Sequence, residues 1–296
     1  MNTTKLTVKD SALTFLVGFL LCQIGVVTIT CVTMVIFKLS NLNTGEFSSF
    51  LNTAIGYTIT SLAMYLVMLG VFFFFNKNKE NKITHKAKPK KLLFYITIAI
   101  LSFLTLYPII ICCDSLIVKL GAKINILPYA LSTKNYFLSI ISLVIAPAIC
   151  EELLFRGLIF KGLKKHGKIL SITLSALMFC IYHMAISQTI YPLLMGLLLG
   201  VIMYYEDNIY YCIAVHMTNN FLSLTLSYFN INLVFNHWSY ILLAIVLCVV
   251  FVSIVLTLTI KHNQKSPKIK MAKHEKIYLF TSLTIMILFW ILVNFA

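Results

Sequence analysis

Two adjacent carboxylates and the chain's one arginine stand inside an apolar run, Ala146-Pro147-Ala148-Ile149-Cys150-Glu151-Glu152-Leu153-Leu154-Phe155-Arg156-Gly157. An ionisable group at bilayer depth costs roughly 2.5–3.5 kcal/mol on insertion scales, so charge in such a place is a functional signal by default. The chain has nine acidic residues, and Glu151 and Glu152 are the two that fall well inside an apolar segment. Lys and Arg together number 24, and only Arg156 is an arginine. Against so strong a lysine bias, an arginine here marks a need for a planar, permanently charged fork. The competing reading is a structural ion pair that locks two helices.

The two carboxylates separate on helical geometry. Glu152 and Arg156 are spaced i, i+4 with the acid amino-terminal, the favourable order for an ion pair on one helix. Glu151 points about 140° away from Arg156 around the helix. Arg156 is therefore expected to neutralise Glu152 and leave Glu151 facing a pocket, where an unpaired carboxylate suits a general base. Pro147, four residues before Glu151, removes a backbone hydrogen bond and is expected to kink the segment, freeing a carbonyl to line a protected cavity.

Of seven histidines, only His183 and His216 fall inside apolar segments. A hairpin turning at His166-Gly167 would set Glu151 and His183 each roughly 23 Å from the turn, at one depth. His216 and Asn220 are spaced i, i+4 and project from one helix face. Interhelical hydrogen bonding is the plainer use of such a pair. Asn219 lies off that face and is set aside. Gly196 and Gly200 form a G-x-x-x-G that lets a neighbouring helix approach closely, and this is read as packing alone.

These residues need elements at bilayer depth to hold them, and the composition supplies such elements. The chain is 60% hydrophobic and 11% charged, with a mean hydropathy of +0.93, which excludes an ordinary soluble domain. The expected fold is an all-α polytopic transmembrane helical bundle, with residues 1–296 forming one integral membrane domain. Apolar segments fall near 12–37, 51–75, 92–113, 136–160, 169–185, 189–205, 208–228, 239–260 and 277–296. That gives nine spans, with eight the alternative, and 169–205 is the stretch closest to the lower length limit. Residues 136–228 bear the motifs, while 1–135 and 229–296 supply flanking helices. The first run is too long for a signal-peptide core and is read as a retained span.

The formal charge of +15 sits in loops, so membrane topology explains it better than nucleic acid does. Seven lysines lie in 76–91, four in 161–168, six in 261–276, and Lys5 and Lys9 precede the first span. Nine spans put all four basic segments on one side, which the positive-inside rule makes cytoplasmic, together with the amino terminus. The expected location is a cell membrane, with the bilayer and a membrane-associated peptide as partners. The eight cysteines have no C-x-x-C spacing and read as small buried hydrophobes. Cys150 lacks a basic sequence neighbour to activate it as a nucleophile.

Glu151-Glu152-x-x-x-Arg156, Phe179-x-x-x-His183 and His216-x-x-x-Asn220 follow one another on three apolar segments, with Ala-Pro before the glutamates and Phe-Arg-Gly across the arginine. In this the chain resembles the CAAX prenyl endopeptidases and bacteriocin-processing enzymes, the CPBP or Abi intramembrane proteases, over about residues 136–228. The resemblance implies peptide-bond hydrolysis within the membrane. Glu151 and His183 would activate water, and His216 and Asn220 would steady the oxyanion. Glu152 and Arg156 would support them. The family is commonly filed under metalloprotease, but there is no H-E-x-x-H and Asn is a poor zinc ligand. The expectation is a glutamate mechanism that requires no cofactor. The alternative is zinc on Glu151, His183 and His216. The lysine bias points to an AT-rich bacterial genome, hence to peptide maturation or bacteriocin self-immunity rather than prenylated substrates. Two other classes stand beside this reading. One is a transporter or channel with an intramembrane Glu/His/Arg ion path. The other is an immunity protein that binds its peptide without cutting it.

Overall fold

In lipid no backbone N–H or C=O can be left unpaired, so an apolar spanning chain must form helices or a closed barrel. The computed structural model describes residues 4–51, 53–81, 86–119, 135–229, 231 and 269–295, and no strand occurs among them. The elements are α1 (Val8–Leu39), α2 (Thr44–Leu51), α3 (Ala54–Asn76), α4 (Pro89–Lys119), α5 (Tyr136–Lys164), α6 (Lys168–Tyr182), α7 (Ile190–Glu206), α8 (Ile209–Tyr228) and α9 (Lys273–Phe295). The chain is a polytopic all-α membrane protein. The expected span at 239–260 and most of the loop at 114–135 lie outside the described residues.

Five described helices are long and apolar enough to cross a bilayer: α1, Ile55–Asn76 of α3, Pro89–Tyr107 of α4, α5 and α9. Of the two shortest expected spans, 169–185 comes out shorter and 189–205 at its expected length. α6 has 15 residues and α7 has 17, which at 1.5 Å per residue gives roughly 22 and 25 Å. A bilayer's hydrocarbon core is about 30 Å thick. Both helices fall short of that thickness, and His183 follows α6 at the hairpin's tip.

The basic segments gather at one end of the bundle. Thr4 N donates to Asn78 O at 3.0 Å, and Lys79 pairs with Asp10 at 3.0 Å. Asp10 also closes the capping box with Thr7 that starts α1. Lys161 donates to Asn81 Oδ1 at 2.8 Å, and Lys165 pairs with Glu275 at 3.1 Å. The amino-terminal segment, the start of the 76–91 loop, the α5–α6 turn and the entry to α9 thus meet through side chains. Of the expected basic loops, residues 82–85 and 261–268 lie outside the described residues.

α5 is the central helix, packed against α1, α3, α6, α7 and α8. Leu154, Phe155, Leu158, Ile159, Phe160 and Leu163 on it are fully buried. Its α-helical course is interrupted twice. Ile140–Ile145 and Phe155–Phe160 are π-helical, and they flank the α-helical Ala146–Leu154 that carries both glutamates. The expected disturbance at Pro147 takes the form of the first of these stretches. The widened turns leave carbonyls within reach of outside donors. Asn81 Nδ2 donates to Gly157 O and Ser11 Oγ to Ile159 O, each at 2.9 Å.

α6 and α7 pack closely because α7 lacks side chains at the contact. A Cβ on Gly196 would lie 2.9 Å from Ala176 Cα and 3.0 Å from its Cβ, whereas on Gly200 the nearest atom is Ile172 Cγ2 at 3.2 Å. Gly196→Ala must therefore push two backbones apart. We expect it to cost about 1–3 kcal/mol, the usual price of overpacking, and Gly200→Ala to cost less. Thermal unfolding in detergent checks this, and the reverse order of the two variants contradicts it.

Candidate active site

The α5–α6 turn, with Gly167 at φ 119°, folds α6 back along α5. α8 closes the third side, which brings the motif residues of α5, α6 and α8 together.

Glu152 and Arg156 are fully buried and paired at 3.0 Å. The pair is the one expected from spacing, but the guanidinium does more than neutralise one acid. Its Nη2 donates to Gly196 O at 3.2 Å, and its Cζ lies 4.7 Å from the Phe179 ring centroid. A flexible ammonium cannot meet a carboxylate, a carbonyl and a ring face from one plane, which accounts for arginine here. Gly196 is thus not packing alone, because its missing side chain brings α7 close and its carbonyl caps the arginine.

Glu152 also has a second partner that spacing does not reveal. His216 Nδ1 lies 2.9 Å from Glu152 Oε1, across 64 residues of sequence. Since the carboxylate oxygen accepts, Nδ1 carries the proton. His216 Nε2 is then the nitrogen nearer to Glu151, 3.9 Å from its Oε2. Glu151 has 13% of its side chain exposed. Among the described residues no donor lies within hydrogen-bond distance of it.

His183 is held in the same manner. Its Nδ1 lies 2.9 Å from Phe179 O, an obligate acceptor, so Nδ1 donates and Nε2 is the nitrogen left for other use. Both imidazoles meet the Phe179 ring edge-on, His183 at 4.9 Å and His216 at 5.8 Å between centroids. One aromatic ring therefore contacts the arginine and both histidines. Phe179 is the organising side chain that sequence reasoning noted only as part of a motif. The i−4 offset from His183 was its signal.

Asn220 is tied to the proline. Pro147 has no N–H for the carbonyl four residues back, Leu143 O, and Asn220 Nδ2 donates to it at 3.1 Å. One amide hydrogen and Oδ1 of Asn220 remain for other use. Asn219 is 1% exposed, accepts from Tyr191 OH at 2.8 Å and faces α7, so it stands apart from this group. Cys150 is buried in the core cluster.

A metal ion bound by the chain alone needs three or more donors converging on one point. Among the described residues no three His, Cys, Asp or Glu side chains form such a group, and this includes Glu151, His183 and His216.

Residues 133–222 match the family described as Type II CAAX prenyl endopeptidase Rce1-like. The matched segment holds Glu151, Glu152, Arg156, His183, His216 and Asn220, and it overlaps the motif-bearing stretch 136–228. No curated protein and no solved structure matches the chain.

Proposed function

From a chain whose residues 133–222 match the Type II CAAX prenyl endopeptidase Rce1-like family, we propose an intramembrane endopeptidase that hydrolyses a peptide bond in a membrane-associated peptide without a metal. The observation that carries the proposal is Glu151, a carboxylate with no described hydrogen-bond donor, 3.9 Å from an imidazole nitrogen in an apolar core.

Glu151 takes a proton from water while His183 Nε2 accepts the other hydrogen of that water as a hydrogen bond. The hydroxide oxygen attacks the scissile carbonyl carbon, and its electron pair moves to the carbonyl oxygen. His216 Nε2 and the free amide hydrogen of Asn220 meet that oxyanion. For His216 to donate from Nε2 while Nδ1 donates to Glu152, the ring must be an imidazolium. Glu152 then lies against both His216 and Arg156, and with Glu151 the two positive and two negative charges balance. The proton on Glu151 passes to the amide nitrogen as the C–N bond breaks. The gathering of the basic segments supports a cell-membrane orientation with that end cytoplasmic. The substrates are bacterial membrane peptides or propeptides, and the role is maturation or self-immunity.

The test is cleavage of native membrane peptides in liposomes, read by mass spectrometry. We expect full turnover in excess chelator and no gain on adding zinc. Activity lost to chelator and restored by zinc would overturn the metal-free mechanism. No cleavage by wild type, together with proton flux across the liposome, would favour an ion path instead.

A further inference from the structure

Asn294 stands near the end of α9, well beyond the segment that matches the family, and its amide is bonded at three points. Oδ1 accepts from Ile186 N at 2.7 Å. Nδ2 donates to Met184 O at 3.3 Å and to Trp290 O at 2.8 Å. The bond to Trp290 fixes the amide on its own helix, and the other two clasp the backbone just after His183.

That backbone needs a clasp. α6 ends at Tyr182 with His183 as its C-cap. Met184 then turns through φ 52°, a left-handed conformation that a side-chain-bearing residue holds only when its surroundings impose it. The single 3-10 turn Ile186–Gln188 follows. The N–H of Ile186 and the C=O of Met184 fall where the helix ladder has ended, so their partners must come from elsewhere. A carboxamide offers one acceptor and one donor side by side, which is what this pair of groups requires.

We propose that Asn294 is a positioning residue for His183. By pinning Met184 and Ile186 it fixes where α6 stops, and so holds the His183 ring on Phe179, 4.9 Å between centroids. α9 thereby completes a site whose other parts all lie within 133–222. The proposal rests on the reading of His183 as a partner in activating water.

Asn294→Ala in the full chain, in liposomes, tests it. The expected result is a 10- to 100-fold fall in kcat, KM within twofold of wild type, and hydrogen exchange at the Ile186 amide faster by tenfold or more. Exchange at Ile202, buried in α7, should not change. Asn294→Asp keeps the acceptor for Ile186 but loses the donor to Met184 and should fall between the two. In a His183→Asn background Asn294→Ala should add no further loss, since both act through one ring. A loss that is fully additive there, or kcat and Ile186 exchange both unchanged, overturns the proposal. If wild type cleaves nothing, the peptidase reading fails and the catalytic part of this one with it. Ile186 exchange then still decides whether the clasp exists.

Discussion

Glu151→Gln is expected to fold as wild type does and to lose 10²–10⁴-fold in turnover, the range that general-base catalysis supplies. The substitution changes shape by almost nothing and leaves the buried Arg156–Glu152 pair at 3.0 Å intact. Nor does it strand a buried donor, since no described donor lies within hydrogen-bond distance of the carboxylate. What it removes is the ability to take a proton from water 3.9 Å from His216 Nε2. Turnover by mass spectrometry and the unfolding midpoint in detergent, measured on one preparation, give both halves of the result. A Glu151→Gln protein within threefold of wild-type turnover sinks the assignment of Glu151 as base. A Glu151→Gln protein that unfolds many degrees early shows instead that the carboxylate is structural.

How far the site could be read in advance depends on sequence separation. The Glu152–Arg156 pair was legible because one helical turn fixes it, and the i, i+4 offset survives although Arg156 sits in a π-helical stretch. The Glu152–His216 bond was not legible, because it depends on how α5 and α8 slide past one another, and nothing local records that register. Pro147 announced a disturbance. It did not announce that a π stretch would absorb it, or that Asn220 would take the carbonyl left by the missing N–H. Gly196 and Gly200 told of close approach, but the use of a carbonyl at that contact is invisible in residue types. The span count is where periodicity helps least. In α6 and α7 apolar composition continues around a hairpin tip, so runs of 17 residues in sequence became helices that stop at Tyr182 and resume at Ile190. An incomplete pair of crossings returns the chain to the side it left. The parity argument for the basic loops is therefore indifferent to whether this hairpin crosses the bilayer.

The second large effect lies with Glu152, which carries two tasks that a double substitution can separate. Glu152→Gln leaves Arg156 buried with no counter-charge, and breaking a buried pair from one side typically costs about 3–5 kcal/mol. The expected result is a poorly expressed or early-melting protein. Replacing both charges, Glu152→Gln with Arg156→Met, removes that penalty, because a buried ion pair exchanged for apolar volume is often neutral in stability. The unfolding midpoint of the double variant should therefore return close to wild type. Turnover should not return with it. Glutamine still accepts from His216 Nδ1, now at 2.9 Å from Oε1, but it supplies no charge to hold the imidazolium. Hydrogen bonds to charged groups exceed neutral ones by about 1 kcal/mol or more, so a loss of tenfold or greater is expected to persist. The guanidinium's contacts with Gly196 O and the Phe179 face vanish in the same variant, and Arg156→Lys alone serves as the control for them. If the double variant recovers stability and turnover together, Glu152 does nothing beyond neutralising Arg156, and the imidazolium at His216 needs another counter-ion.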